Sequence, residues 1–228
     1  MNIIKEPIGG SAREFSLRVI KEKLISLEIK PNTMMSEKEI ASELNLSRTP
    51  IREAMIELSK SQIIQIIPQK GCYVPKIDYN LVNESRFIRL QLEKGIIEEL
   101  CNRNQEIDFS ELEENLKLQA FFVEQEDIDR FFEMDNLFHK QFFILTGKLQ
   151  TYQLTETMQI HFDRVRRMKL ENVKESKELL QDHEELLEAI KEKNVERALS
   201  LIELHLSRYQ IDKQKIQEKY GSYFELDN

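Results

Sequence analysis

Residues 36 to 58 read Ser36-Glu-Lys-Glu-Ile-Ala-Ser-Glu-Leu-Asn-Leu-Ser-Arg-Thr-Pro-Ile-Arg-Glu-Ala-Met-Ile-Glu-Leu58, and their spacing predicts two short helices joined by a tight turn. Ser36 and Glu39 fit an S-x-x-E capping box, after which Ile40, Ala41 and Leu44 recur at helical spacing. The first helix is therefore expected to run to about Leu44. Asn45-Leu46 makes the turn, Ser47 or Thr49 can cap the second helix, and Pro50 falls in its first turn, where a missing amide proton costs little. With Ile51, Met55 and Leu58 facing inward, Arg48, Thr49 and Arg52 are left on the outer face near the helix start. In a helix-turn-helix that end enters the major groove of DNA. Arginine donates bidentately to guanine O6 and N7, while the positive helix end and the hydroxyls of Ser47 and Thr49 suit phosphate.

Downstream, Ile63-Ile-Gln-Ile-Ile67 and Cys72-Tyr-Val74 are β-rich runs around the turn Pro68-Gln-Lys-Gly71, the pattern of a β-hairpin wing. Lys70 and Gly71 at its tip are placed to enter a neighbouring minor groove, lysine toward phosphate and glycine permitting close backbone approach.

Leu46-Ser-Arg-Thr-Pro-Ile-Arg-Glu-Ala54 followed by Pro68-Gln-Lys-Gly-Cys-Tyr-Val74 resembles the GntR-type winged helix-turn-helix signature, over residues 11 to 77. The resemblance implies that Lys38, Arg48, Arg52 and Gly71 contact DNA. One departure is Ser61-Gln62, where that family commonly has an acidic residue and a glycine; it bears on how the recognition helix ends.

Charge is segregated along the 228 residues. Residues 1 to 77 carry 12 Lys and Arg against 9 Asp and Glu, net +3, and the remainder carries 21 against 32, net −11. A pI near 5.3 taken alone would argue against nucleic acid, but the acidic excess belongs to the second segment and need not touch it. Two domains are expected, residues 1–77 and 78–228, joined through Val74-Pro-Lys-Ile77. No stretch approaches the roughly 18 apolar residues of a membrane span, and the N-terminus lacks a signal-peptide pattern, so a cytoplasmic protein is expected. Cys72 and Cys101 lie in different segments without a C-x-x-C, and are expected to be reduced packing residues.

From Tyr79 onward helix-period patterns follow one another, over about 80–102, 109–124, 127–146, 150–170, 175–192 and 195–220: an antiparallel bundle of about six helices, giving a mainly α protein. Its third helix carries a buried stripe of Phe131, Phe138, Phe142 and Leu145, on which Asp135 also falls, with His139 one turn later. A buried aspartate needs a partner, and D-x-x-x-H puts carboxylate and imidazole on one face, within reach of one cation. His183 lies on the stripe of Leu179, Leu180, Leu187 and Ile190, and His205 beside Leu201 and Ile202. Three imidazoles and a carboxylate from three helices thus point into a bundle interior, a usual way to build a divalent metal site. Zinc is the expected ion in vitro, with nickel or manganese as alternatives.

This spacing, together with Arg89-Leu-Gln-Leu-Glu93, resembles the FCD ligand-binding domain of FadR-subfamily GntR regulators. The resemblance implies a homodimeric transcription factor that binds an inverted-repeat operator and takes a small organic acid beside the metal. Repression is the expected sign, and Arg89 the first candidate to clamp the effector carboxylate. His161 lies on a stripe of Leu154, Met158, Val165 and Met168 with Arg164 one turn beyond; these two are further candidates for the effector cavity. The paired phenylalanines at 121–122, 131–132 and 142–143 are read as bundle and dimer core. Against a regulator stands a second reading, a metal-dependent hydrolase-like bundle fused to a DNA-binding domain. It has no separate general base beside the metal set and leaves the winged domain without a purpose, so no enzyme activity is expected.

Overall fold

A computed structural model describes residues 10–170, 173–211 and 213–225; residues 1–9 of the expected first domain lie outside it. The chain begins with helix α1 (Ala12–Ile25), which the sequence reading had not marked. Ser11 and Glu14 close a full capping box, with Ser11 Oγ accepting from the Glu14 amide at 3.2 Å and Glu14 Oε2 from the Ser11 amide at 2.8 Å. Strand β1 (Thr33–Met35), α2 (Glu37–Glu43), α3 (Arg48–Lys60), β2 (Gln65–Ile67) and β3 (Gly71–Val74) complete the winged unit.

The two expected helices stand where the spacing put them. Ser36 Oγ accepts from the Glu39 amide at 3.4 Å, and Asn45 makes the turn in the left-handed region at φ 53°, which asparagine tolerates better than most residues. Ser47 occupies the N-cap of α3 without a side-chain capping bond. Ile51, Ala54, Met55 and Leu58 are buried against α1. Helix α3 ends through Ser61 and Gln62, the latter at φ 60°, so a non-glycine residue holds the left-handed position that ends this helix.

The expected hairpin of β2 and β3 is extended by β1 into a three-stranded wing, in the order β1-β3-β2 with both pairings antiparallel. The turn Pro68-Gln69-Lys70 returns the chain with Gln69 at φ 64°, followed by Gly71 at φ 114°. A Cβ on Gly71 would lie 2.7 Å from the Met35 carbonyl, so the glycine is already required by the close passage of β1.

The second unit comprises α4 (Tyr79–Asn102), α5 (Ser110–Glu124), α6 (Ile128–Leu145), α7 (Leu149–Lys169), α8 (Val173–Lys191), α9 (Val195–Ile211) and α10 (Lys213–Tyr220), then a 3-10 turn at Gly221–Tyr223. The expected helix 195–220 is thus recorded as α9 and α10, with residue 212 outside the described residues. Helix α7 is central. It packs against α1, α4, α6 and α9, and every residue from Gln159 to Val165 is buried, as expected for a helix covered on all sides. Leu154, expected on its buried stripe, is instead 77% exposed, because full burial of α7 begins only at Gln159. Cys72 and Cys101 are buried free thiols, and no described helix is long and apolar enough to cross a membrane.

The segment between the units is held. Ile77 is fully buried and pairs with Phe224 in a parallel bridge. Its amide donates to the Tyr223 carbonyl at 2.8 Å, and its carbonyl accepts from the Glu225 amide at 3.0 Å. Tyr79 stacks on Phe224 with ring centroids 4.7 Å apart. The winged unit rests on α7 through α1, with Lys21 3.5 Å from Glu156.

Candidate functional site

Asp135 and His139 sit one turn apart on α6, His183 on α8 and His205 on α9, and each offers a ligand atom within 4.8 Å of all the others. All four are buried. They meet because the stripe of Phe131, Phe138 and Phe142 turns one face of α6 inward, where Phe138 stacks on the His183 ring at 4.5 Å between centroids.

Each imidazole is oriented by an acceptor at Nδ1. His139 Nδ1 lies 2.6 Å from Glu93, His183 Nδ1 2.8 Å from the Gln119 carbonyl oxygen, and His205 Nδ1 3.2 Å from Asp182. The Gln119 amide is itself fixed by donating to Asn115 at 2.7 Å, and Asn115 in turn donates to the Met134 carbonyl. With the protons at Nδ1, the three Nε2 lone pairs face one another, at 3.2 Å between His139 and His205 and 3.3 Å between His183 and His205. Oδ1 of Asp135, 3.6 Å from His183 Nε2, is buried with no hydrogen-bond partner. Lone pairs converging on a point beside an unpaired carboxylate oxygen are what a cation would satisfy, so this donor set fits a divalent metal.

The electrostatics agree. Burial holds His139 well below the usual imidazole range, helped by the Arg89 cation. Burial and the neighbouring His205 lower His183 to about 3. Both rings are therefore neutral and able to ligate at ordinary pH. Burial opposes ionisation of Asp135, but the Arg166 guanidinium bonded to its Oδ2 holds the carboxyl below its usual range. Asp182 is likewise lowered to about 2, with burial opposed by hydrogen bonds from His205 and Arg208.

The expected effector residues divide. Arg89 lies beside the ligand set, where its Nε donates to Glu93 at 2.6 Å and its Nη1 is 3.8 Å from Asp163. His161 and Arg164 instead face the winged unit, with His161 Nε2 2.6 Å from the Ser61 carbonyl. A small cavity beside the ligands is bordered by Asp135, His205, Arg166, Lys169 and Arg208. The sequence reading missed Glu93, Gln119 and Asp182 as orienting groups. Glu93 carried a signal as the end of Arg89-Leu-Gln-Leu-Glu93, and Gln119 as a polar residue on the stripe of Leu112, Leu116 and Val123.

On the winged unit, Lys38, Ser47, Arg48, Thr49, Arg52 and Lys70 are exposed. Ser47, Arg48, Thr49 and Arg52 cluster at the start of α3, whose first turn holds no acidic residue. Among the described residues none of the four cations is in a salt bridge. Gly71 is half-buried against β1 behind Lys70 at the wing tip. A positive helix end flanked by free cations is a surface for a polyanion.

The family model described as "Bacterial regulatory proteins, gntR family" matches residues 17–74, and that of the FCD domain matches residues 84–208. Over 163 residues the chain is 34% identical to the HTH-type transcriptional repressor RspR of Escherichia coli K12, covering 72% of each. It is 31% identical over 121 residues to the gluconate operon transcriptional repressor of Bacillus subtilis, covering 53% of this chain and 49% of that protein. The solved structure of E. coli McbR/YncC has the same fold, with a TM-score of 0.78 at 21% identity, over 93% of this chain and 100% of that one.

Proposed function

The chain belongs to the GntR family of bacterial regulatory proteins and carries an FCD domain, and from that premise we propose that it is a DNA-binding repressor controlled by a small organic acid bound beside a divalent metal. It is a transcription regulator and not an enzyme; its sign, metal and effector are the further reading. Residues 1–77 form the reading domain, and residues 78–228 bind metal and effector and join two chains. The observation that carries this is the set of three Nδ1-anchored imidazoles aimed, with the unpaired Asp135 oxygen, at one point. These four ligands leave positions open on an octahedral ion, and zinc, nickel or manganese suits the donor set. The effector carboxylate lies in the adjoining cavity near Arg166, Lys169 and Arg208, with Arg89 behind Glu93.

DNA is held by Arg48 and Arg52 at base edges, by Lys38, Ser47, Thr49 and Lys70 at phosphates, and by the wing at Gly71. One such domain contacts too few base pairs for strong discrimination, so two act on an inverted repeat. The exposed Phe87 on α4 and Leu154 on α7, two helices packed together, support the bundle as the homodimer face. Repression is supported by the names of the two relatives above.

The test uses an operator selected from random duplexes by the full chain. Its affinity is measured in chelator, in zinc, and in zinc with a panel of dicarboxylates. At least one dicarboxylate should change the zinc-bound affinity about 5-fold or more, the usual scale of an allosteric coupling. Equal affinity under all conditions would refute effector control.

A further inference from the structure

Arg164, on α7, is 1% exposed. The buried Arg89 and the half-buried Arg166 of the bundle face carboxylates: Arg89 faces Glu93, and Arg166 bonds Asp135 and Asp163. Arg164 faces none. Its neighbour Asp163 is turned toward Arg166, 2.7 Å away, and Arg89. Its Nε and Nη1 have no hydrogen-bond partner, and only Nη2 is engaged, 3.4 Å from His161 Nδ1. A buried guanidinium without a counter-charge is among the costlier features a fold can carry.

Among the described residues no carboxylate forms a salt bridge with it. With His161 Nε2 donating to the Ser61 carbonyl, Nδ1 keeps the lone pair that accepts from Arg164. Burial lowers His161 to about 4, so the ring is neutral. Asp78, whose charge acts on that ring, caps α4 by accepting from the Asn80 amide at 2.7 Å.

We propose that Arg164 is a second anion site, at the junction of the winged unit and the bundle and separate from the metal centre, taking a small carboxylate or phosphate that accepts from its unpaired N–H groups. The ligand enters when the winged unit lifts from α7. Once seated, it bears on the relay Arg164 to His161 to the Ser61 carbonyl, which ends the recognition helix, so its occupancy reaches DNA affinity from a different side than the metal. This consequence rests on the regulator reading above, whereas binding itself is measured without metal or DNA, so either can fail alone.

Calorimetry of the full chain, freed of metal by chelator and held at constant ionic strength with chloride, is run with inorganic phosphate and separately with malonate. Saturable binding of one of them, unchanged in His183→Ala/His205→Ala and weakened at least ~10-fold in Arg164→Gln, is expected for a desolvated arginine-oxyanion contact. Which anion binds identifies the ligand class. Wild-type affinity in Arg164→Gln, loss in the metal-site variant alone, or no saturable binding to either anion would each overturn the proposal. Should Arg164→Gln fail to fold, hydrogen exchange of the wild type decides. Phosphate or malonate should protect the amides around residues 59–64 and 159–166, and unchanged exchange at both stretches rejects the site.

Discussion

On α3 the guanidinium groups of Arg48 and Arg52 stand in water and, among the described residues, in no salt bridge, whereas inside the bundle Arg89 and Arg166 are each pressed against acidic side chains. The same residue type obeys opposite rules in the two places. Water screens an exposed cation and lets it wait unpaired for a polyanion, while burial removes that screening and forces compensation within the fold. The exposed face at the start of α3 therefore carries cations that form no salt bridge among the described residues. The cluster of Asp135, His139, His183 and His205 is assembled from residues that are each held by a partner except on the side facing one another. Function is left open toward solvent in one unit and toward an enclosed point in the other.

The contrast can be broken most directly at the enclosed point. Metal at about 1,000 times its dissociation constant should add on the order of 4 kcal/mol to the stability of the wild-type chain. His183→Ala/His205→Ala should lose this stabilisation and carry less than about a tenth of an equivalent of metal. Elemental analysis with thermal melts checks both, and a variant that keeps its metal would show that the imidazoles are packing groups.

The next effect concerns His161, buried and neutral. Its folded pKa of about 4 lies below the unfolded value of 6.5, so between those values the unfolded chain binds more protons and stability falls as pH is lowered. The loss amounts to roughly 3 kcal/mol across that interval, since one proton taken up only by the unfolded chain costs about 1.4 kcal/mol for each pH step of one. Denaturant titrations of the wild type and His161→Gln over this range should diverge, with the variant flatter. Parallel curves would mean that this ring does not meet its environment as a buried neutral group.

Smaller effects belong to the open surface. Arg52→Ala should cost about 1–3 kcal/mol on a specific duplex and relax its sequence preference. Unchanged affinity would remove Arg52 from the base-reading set. Lys70→Ala should weaken specific and scrambled duplexes alike and flatten the slope of log affinity against log salt by about one, the mark of a single lost phosphate contact. If it altered preference between duplexes instead, the wing would be reading bases.

The sequence revealed these two regions unequally, for physical reasons. Local periodicity exposes whatever a helix does with its own faces, so α2, α3, Asn45 and the convergence of Asp135, His139, His183 and His205 were all legible, each of these four lying on the apolar stripe of its helix. It says nothing of pairing between distant elements. Strand β1 is three residues long and exists by its register with β3. Asp182 orients His205 from a helix whose acidic residues otherwise face water. The division of Arg89 from His161 and Arg164 was hidden too, because it depends on which side of the central α7 meets the winged unit.

The pairing of Ile77 with Phe224 ties the linker between the units to a segment far downstream of it, after the last bundle helix. On a ribosome the winged unit emerges early and can close its own core while the bundle is still being made, since domains generally fold as units in order of synthesis. Its anchorage to the body must wait for Tyr223, Phe224 and Glu225 to arrive. A chain stalled before them would carry a folded winged unit on an unlatched linker. In such a fragment the winged unit is folded but not yet fixed to the bundle, so its placement waits on residues far downstream of it.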